Sequence, residues 1–525
     1  MDDLSFLLCG CVLAGCLLAM WLLAPKTEAQ DFANPLPPGP EPSWLGSVEL
    51  PRTYQWLTFT KWKETYGDLI YIRKFGNPIL VLNSMEAANE LLDKRSVIYS
   101  SRPYRTMASE LMGWSFLFSD MPYGPRWREH RTLFHKYFPL NRTAQYHPVQ
   151  TKETLTLLQN LSNTPDNFTT HIRRTGAAIA VSIAYGQVVA GQGDAYVALA
   201  DKAMAGLGIA GVFGTYLVDY FPVLKHYPSF MPGGSFRVKA QEWRQLSRMM
   251  LEKPFEAVKA QMANGCAEPC LATWELEHCV QNEVAADEEL IRGVCAITYA
   301  AGADTVRSNF IYCLSSLTIS FMFLAACIHP EFQRKAHQEI DRVVGSSRLP
   351  SFTDKEALPY VSCIAWECLR WIPVLPLLLA HTSTEDDVYM GYRIPKGTTV
   401  MPNVSAMFHD EKFYPDPYTF NPDRFADPET NTRKGINEVP WAAFGFGRRM
   451  CPGRWVGYDS LWMSIVSILA VYHISPALDE HGAQVMPLAE FTGTMLSRPK
   501  PFKCRIEARS EAAVALIKLT ADAQA

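Results

Sequence analysis

The chain opens on a run of apolar positions, Leu4 to Ala24, "LSFLLCGCVLAGCLLAMWLLA", 21 residues without a charge. Wound as an α-helix it would be about 32 Å long, close to the ~30 Å of a bilayer's hydrocarbon. Asp2 and Asp3 precede it and Lys26 follows. A cleaved secretion signal is shorter and led by basic residues, so the pattern predicts an uncleaved anchor over 1–24, with the Lys26 side in the cytosol. "PLPPGPEP", Pro35 to Pro42, lies just beyond. Prolines fix φ and carry no N–H, so residues 25–46 read as a stiff hinge between anchor and body.

From Asp68 the pattern changes to short apolar runs. "DLIYIRKFGNPILVL" predicts a hairpin turning at Gly-Asn-Pro, followed by a helix from Ser84 to Lys94. "VYMGYRIPKGTTV", Val388 to Val400, predicts a second hairpin. Elsewhere apolar positions recur with helical period, over Pro148–Leu161, Phe236–Ala263 and Pro330–Val344. The longest helical stretch runs from Asp287 to about Cys327. Its uncharged half, Asn309 to Ile328, has the composition of a membrane span, but Asp304 and Arg307 interrupt the upstream half. A buried core helix is therefore expected. The sum is a mainly α chain, an α-rich α+β fold with small antiparallel sheets.

Composition sets limits on function. The chain has 525 residues, 48% of them hydrophobic, and a formal charge of −4. No basic excess asks for nucleic acid. Of the 13 cysteines, Cys9, Cys11 and Cys16 fall in the apolar leader and the rest show no paired pattern, so a reducing compartment fits. "CAEPCLATWELEHC", Cys266 to Cys279, has no standard zinc spacing and is not expected to hold a metal. The "NRT" at Asn141 would face the cytosol and carry no glycan.

One cysteine has unusual company. "WAAFGFGRRMCPGR", Trp441 to Arg454, sets Cys451 among Gly445, Gly447, Gly453, Arg448, Arg449 and Arg454. A helical segment follows, with Pro452 expected in its first turn. A thiol before a helix start, near arginines, is biased toward thiolate. Two readings stand side by side here: an anionic ligand to a metal, or a small buried hydrophobe.

"FGFGRRMCPG", Phe444 to Gly453, resembles the haem-binding signature F-x-x-G-x-R-x-C-x-G of the cytochrome P-450 superfamily, with every fixed position filled. In chain order, "WREHR" at Trp127, "AGADT" at Ala301, "ECLR" at Glu367 and "FNPDRF" at Phe420 resemble further motifs of that family, Asp423 replacing the usual Glu. The match covers Pro35 to about Arg505 and is most similar to microsomal fungal secondary-metabolism members. The resemblance implies the family's fold, a long distal helix over haem with small sheets, in a catalytic domain over 47–505 and a tail over 506–525.

The resemblance also implies roles. Cys451 becomes the thiolate ligand of the haem iron, donating electron density that favours O–O cleavage. Phe444, Gly445 and Gly453 surround the sulfur. Trp127, Arg131, Arg449 and His381 meet the haem propionates, and Ala301 leaves room beside the ring. Asp304 and Thr305 deliver protons to oxygen. Glu367, Arg370 and Arg424 form a buried ionic network. The implied cofactor is haem b; NADPH acts indirectly, through a separate reductase, with cytochrome b5 as an optional second donor. The expected location is the endoplasmic reticulum membrane, single-pass, with the catalytic domain facing the cytosol.

One departure stands out. The 23 residues between Thr305 and His329 exceed the family's usual length, and "RSNFIYCLS" reads as surplus. Tyr104–Phe118, Ile297–Thr305, Val374–Leu378 and Phe491–Met495 map to the substrate pocket and are mostly apolar, with Glu110 a candidate charge. This favours a hydrophobic substrate such as a terpenoid or polyketide, hydroxylated at carbon. Arg126, Arg128, Arg131, Lys136, Arg448 and Arg454 suggest a basic docking face for an acidic reductase. The rival readings are a haem-thiolate isomerase or dehydratase needing no external electrons, which typically lacks the alcohol, and an inactive haem-binding membrane protein.

Overall fold

Phe75 and Gly76 both take positive φ, 48° and 77°, and close the first hairpin. Two left-handed residues suit the twist of the flanking strands. The strands are β1 (Leu69–Lys74) and β2 (Asn77–Leu82), paired antiparallel with Pro78 opposite Arg73. The turn therefore starts one residue before the expected Gly-Asn-Pro and shares only Gly76 with it, since Asn77 and Pro78 already belong to β2. The computed structural model describes residues 34–43, 47–189, 195–210, 215–302, 314–427, 429 and 439–522. The segment 1–24, most of the hinge, Asp304, Thr305 and most of "RSNFIYCLS" lie outside the described residues.

Further along come β3 (His381–Thr382), β4 (Asp387–Tyr389), β5 (Tyr392–Ile394) and β6 (Thr399–Pro402). β4 and β5 form a hairpin through Met390 and Gly391, both at positive φ. β6 leaves it and pairs parallel with β2, Ile79 beside Thr399, giving the order β1-β2-β6-β3. The expected second hairpin thus ends at Ile394, and the pairing of β2 with β6 is parallel rather than antiparallel. A last sheet, ordered β8-β7-β9, contains β7 (Tyr472–Leu478), β8 (Gln484–Val485) and β9 (Cys504–Ala508).

Helices make up most of the rest. The three periodic stretches appear as His147–Asn163, Ser235–Ala263 and Glu331–Val343. Ser84 caps a short helix, Met85–Ala88, by accepting from the Ala87 N–H, and the chain then widens into a π turn over Asn89–Lys94. Five helices frame the site: α1 (Pro125–Tyr137), α2 (Glu288–Gly302), α3 (Leu314–Ile328), α4 (Pro359–Trp371) and α5 (Arg454–Val471). The long helix expected from Asp287 to about Cys327 is seen as α2 and α3.

α3 and α5 are apolar nearly all round, and such helices belong inside. Phe321, Met322, Phe323 and Leu324 of α3 have no exposed surface, as have Trp462, Ile465 and Val466 of α5. Beyond α3 the chain bends by 109° into Glu331–Val343. Among the described residues no single helix is long and apolar enough to cross a membrane. α3, α4 and α5 build one core. α2, Phe168–Tyr185 and Ser235–Ala263 build a second.

α4 carries the ionic centre of the first core. Glu367 and Arg370 share a face at i, i+3 and are both fully buried, joined at 2.7 and 2.8 Å. Arg370 also donates to the carbonyls of Phe408 and Pro417, at 2.9 and 2.8 Å. Glu367 accepts from the Asn421 N–H at 2.8 Å and from Arg424 Nε at 3.3 Å. Arg424 in turn binds the carbonyls of Pro415, Asp416 and Thr419. The segment from Phe408 to Arg424 is thereby pinned to α4. Glu367→Gln removes the carboxylate and strands two buried guanidiniums. A loss of about 3–5 kcal/mol is expected, read as a lower urea midpoint with an unchanged m-value.

Candidate active site

The two large cores leave a cavity of about 270 Å³ between them. Phe134 of α1, Ile179 and Ile297 wall one side, and Leu375, Leu378 and Phe444 the other. Cys451 lies on this wall. Its sulfur is surrounded by protein yet keeps accessible surface, because it faces the hollow.

The loop before α5 is held in shape by its backbone. The Cys451 N–H donates to the Phe444 carbonyl at 2.8 Å, and Gly445 N–H to Ala442 at 3.0 Å. Gly447 takes φ of +49°, and a Cβ there would stand 2.3 Å from the Leu92 carbonyl oxygen. Only glycine fits such a position. Arg131 Nη1 clamps the Met450 carbonyl at 2.7 Å. α5 begins at Arg454, with Gly453 as its cap. Pro452 therefore lies in the preceding turn rather than in the first helical turn.

The free thiol is not lowered as sequence suggested. Burial pushes Cys451 above its ordinary range, outweighing the Gly453 N–H and the charges of Arg131 and Arg454, which pull it down. The helix start and nearby arginines do not offset that burial, and a cation bound at the sulfur would favour the anion.

Around the apolar hollow stands a group of cations and donors. Arg102, Arg131, Arg449, His381 and Trp127 all line it. Burial, then the neighbouring Arg102, pulls Arg449 down to about 8. Burial pulls Arg131 down to about 10. Burial, then Arg102, holds His381 well below its usual value, so its imidazole is neutral, with Nδ1 2.7 Å from the Tyr99 carbonyl oxygen. Arg449 uses three donors on carbonyls, of Ser100 at 2.6 Å, Phe118 at 3.1 Å and Met121 at 2.5 Å. Its guanidinium also lies 4.4 Å from the centre of the Trp127 ring. The Trp127 indole Nε1 is buried without a hydrogen-bond partner.

These features test a fit. Buried cations crowded together call for an anion, and an orphaned indole N–H calls for an acceptor. A Cβ added to Gly453 would meet no protein atom within 4 Å, so the space before it is open. A flat apolar ring with two carboxylates and a central cation satisfies all three, with sulfur as the cation's ligand. Haem is such a group.

Residues 35–505 match the family model described as Cytochrome P-450. The chain belongs to the cytochrome P-450 family. Cytochrome P-450 monooxygenase 98 of Postia placenta is 41% identical over 490 residues, covering 92% of each chain. Cytochrome P-450 monooxygenase COX2 of Coprinopsis cinerea is 40% identical over 497 residues, 93% of this chain and 91% of that one. Cytochrome P-450 monooxygenase eriA of Hericium erinaceus is 37% identical over 526 residues, 98% and 95% of the two chains. The protein is a haem-thiolate monooxygenase of this family, which implies a haem held by a cysteine thiolate, O2, a small-molecule substrate and redox partners.

Ala301 is helical and belongs to α2. Several other expected positions differ. Of the expected pocket segments, Phe118, Ile297, Thr298, Leu375 and Leu378 reach the cavity, whereas Met107 and Trp114 are packed in the second core. Glu110 offers no free charge to a substrate: its carboxylate accepts from Lys225 and Tyr104, both at 2.8 Å, and Lys225 first of all holds it below its ordinary range. The basic face is weaker than its composition. Arg126 pairs with Asp287 at 2.6 Å, and Lys136 with Glu275 at 2.6 Å. Arg128 and Arg448 remain exposed. In the Cys266–Cys279 stretch, Glu275, His278 and Cys279 come within 4.8 Å of one another. Glu275 is already engaged by Lys136 and Tyr137.

Two wall residues, Arg102 and Ser315, escaped sequence reasoning. Arg102 donates to Ser119, Leu379 and Ala380 carbonyls while facing the cavity. Ser315 lines it and donates to the Gly457 carbonyl at 2.9 Å. Thr298, on the wall from α2, bonds back to Val294 at 2.8 Å. It falls within the expected pocket segment Ile297–Thr305. Trp127→Phe keeps the ring and removes the orphan N–H. Loss of one such bond predicts haem transfer to an apo-globin acceptor roughly 2- to 10-fold faster, with folding unchanged by circular dichroism.

Proposed function

We propose that this chain hydroxylates an apolar small molecule of the terpenoid or polyketide kind in fungal secondary metabolism. The observation that carries the reading is Cys451 facing an apolar hollow ringed by Arg102, Arg131, Arg449, His381 and Trp127. The cofactor in this reading is haem b, which Cys451 would hold through its thiolate. Bound haem supplies the redox centre at which O2 is reduced and one oxygen atom is transferred. The chain's own residues do the rest. Phe444 and Gly445 shape the wall around the sulfur, and Gly453 leaves its space open. Trp127, Arg131, Arg449 and His381 orient the carboxylate edge. Phe134, Ile179, Ile297 and Leu375 exclude water and hold an apolar substrate by burial. Asp304 and Thr305 pass protons from water into the site, with Ala301 leaving room beside them.

Electrons come from NADPH through a separate reductase, with cytochrome b5 as a second donor. Residues 1–24 anchor the chain in the endoplasmic reticulum membrane in a single pass, residues 25–46 act as a hinge, and the 47–505 domain faces the cytosol, followed by the 506–525 tail. The isomerase or dehydratase alternative needs no reductase, and an inactive haem binder would turn nothing over.

Membranes carrying the full chain, reduced under carbon monoxide, should show the band of thiolate-ligated haem. Cys451→Ser should move that band to the position of oxygen- or nitrogen-ligated haem and abolish oxygenation. Turnover of apolar substrates should require both NADPH and reductase; turnover without them would favour the isomerase. Spectral-shift titration against a panel of terpenoids, acids and amines should rank the neutral apolar compounds first.

A second expectation concerns docking. Charge reversal at Arg128 and Arg448, the exposed cations beside the cysteine loop, should slow the first reduction more at low salt than at high salt. Reversal at Lys136, already neutralised by Glu275, should change it little. Stopped-flow reduction with purified reductase measures both.

A further inference from the structure

Trp455, Trp441 and Phe444 are in successive ring contact, the first two lining a surface groove and the last the cavity that holds Cys451. The rings of Trp455 and Trp441 are 4.7 Å apart by centroid, and those of Trp441 and Phe444 5.6 Å. Phe444 reaches the cavity wall, and its carbonyl accepts the Cys451 N–H. On the other side Trp441 and Trp455 line a second hollow of about 490 Å³, a surface groove, together with Phe446, Met450 and Arg454. Gly445 lines both hollows, so the wall between them is one residue thick at that point. Both indoles are half-buried, which leaves them wet on the groove side.

Indoles are the most readily oxidised aromatic side chains after an ionised tyrosine. They still surrender an electron only to a strong oxidant. They cannot relay the low-potential electrons that begin a monooxygenase cycle, but they can refill a site that has been strongly oxidised. Resting on the haem-thiolate reading above, we propose that Trp441 and Trp455 form a relay that drains oxidising equivalents from the cavity to the groove when no substrate is present to consume them.

The balance is simple. Hydrogen peroxide reduced in the cavity takes two electrons and two protons and leaves as two waters. Trp441 gives up one electron, and Trp455 refills it by giving up one of its own. The indole proton leaves to water in the groove. A one-electron reductant in solution, such as ascorbate, then restores Trp455, and a second passage supplies the second electron. The side branch is less suited. Trp366 lies 4.8 Å from Trp441 and 4.8 Å from Tyr458. Tyr458 is buried, burial holds its phenol proton on, and Lys355 stands 4.7 Å over its ring. Arg454 stands 4.7 Å over Trp455 and opposes the loss of its electron as well. Trp455 therefore holds the oxidised state only briefly, and its reduction from the groove draws the oxidising equivalent outward from Trp441.

The test uses the purified, haem-loaded full chain, without organic substrate, challenged with hydrogen peroxide. Freeze-quenched electron paramagnetic resonance should show a tryptophan radical, and peptide mass spectrometry should find oxidised Trp441 and Trp455. Trp441→Phe should remove the radical and bleach the haem band several-fold faster; Trp441→Tyr, which restores an oxidisable ring, should recover protection. Trp455→Phe should keep the radical on Trp441 but abolish rescue by ascorbate. Trp366→Phe disturbs the same packing off the route and should bleach at the wild-type rate. Equal bleaching and an unchanged radical in Trp441→Phe overturn the relay, and so does a Trp366→Phe variant that bleaches as fast as Trp441→Phe. Failure of the relay leaves the carbon monoxide band intact, whereas failure of the haem-thiolate reading removes that band from the wild-type protein, so the two are distinguished.

Discussion

Arg370 has no contact with water, and everything on the cysteine side of the molecule is arranged around that fact. A buried guanidinium is tolerable only when its donors are met. Glu367 meets two of them, and the carbonyls of Phe408 and Pro417 meet others. Meeting them fixes a long irregular stretch against α4. The same helix presents Trp366 to Trp441, 4.8 Å away, and so braces the segment that leads into the cysteine loop. Ionic burial in one place thus becomes geometric precision in another.

The cavity works by a different imbalance. Burial is the first cause that depresses Arg131 and Arg449, and a neighbouring cation, Arg454 for the one and Arg102 for the other, adds to it. Arg449 spreads its donors over three backbone segments, at Ser100, Phe118 and Met121. It is therefore a brace of the wall as well as a source of field. An anionic guest relieves the crowding without having to assemble the frame.

How far the chain could be read from its letters depended on range. The Cys451 loop was legible because glycine, arginine and cysteine at fixed spacing are local facts. Glu367 and Arg370 were legible as one helical face inside an apolar run. The state of the thiol was not, since burial by distant segments outweighs the local helix start and its arginines. Glu110 and Lys136 looked available because their partners, Lys225 and Glu275, lie over a hundred positions away. The first turn slipped to Phe75–Gly76 because strand twist favours two left-handed residues over a proline-led turn.

The parallel pairing of β2 with β6 sets an order of events. Ile79 finds its neighbour only when Thr399 has been made, and Cys451 is later still. On the ribosome the first hairpin must wait, edge unfilled, for most of the polypeptide to emerge. Contacts so distant along the chain slow folding and lengthen the exposure of unfinished surfaces. Assembly of this pocket consequently waits until the segments from Thr399 to Cys451 have been made.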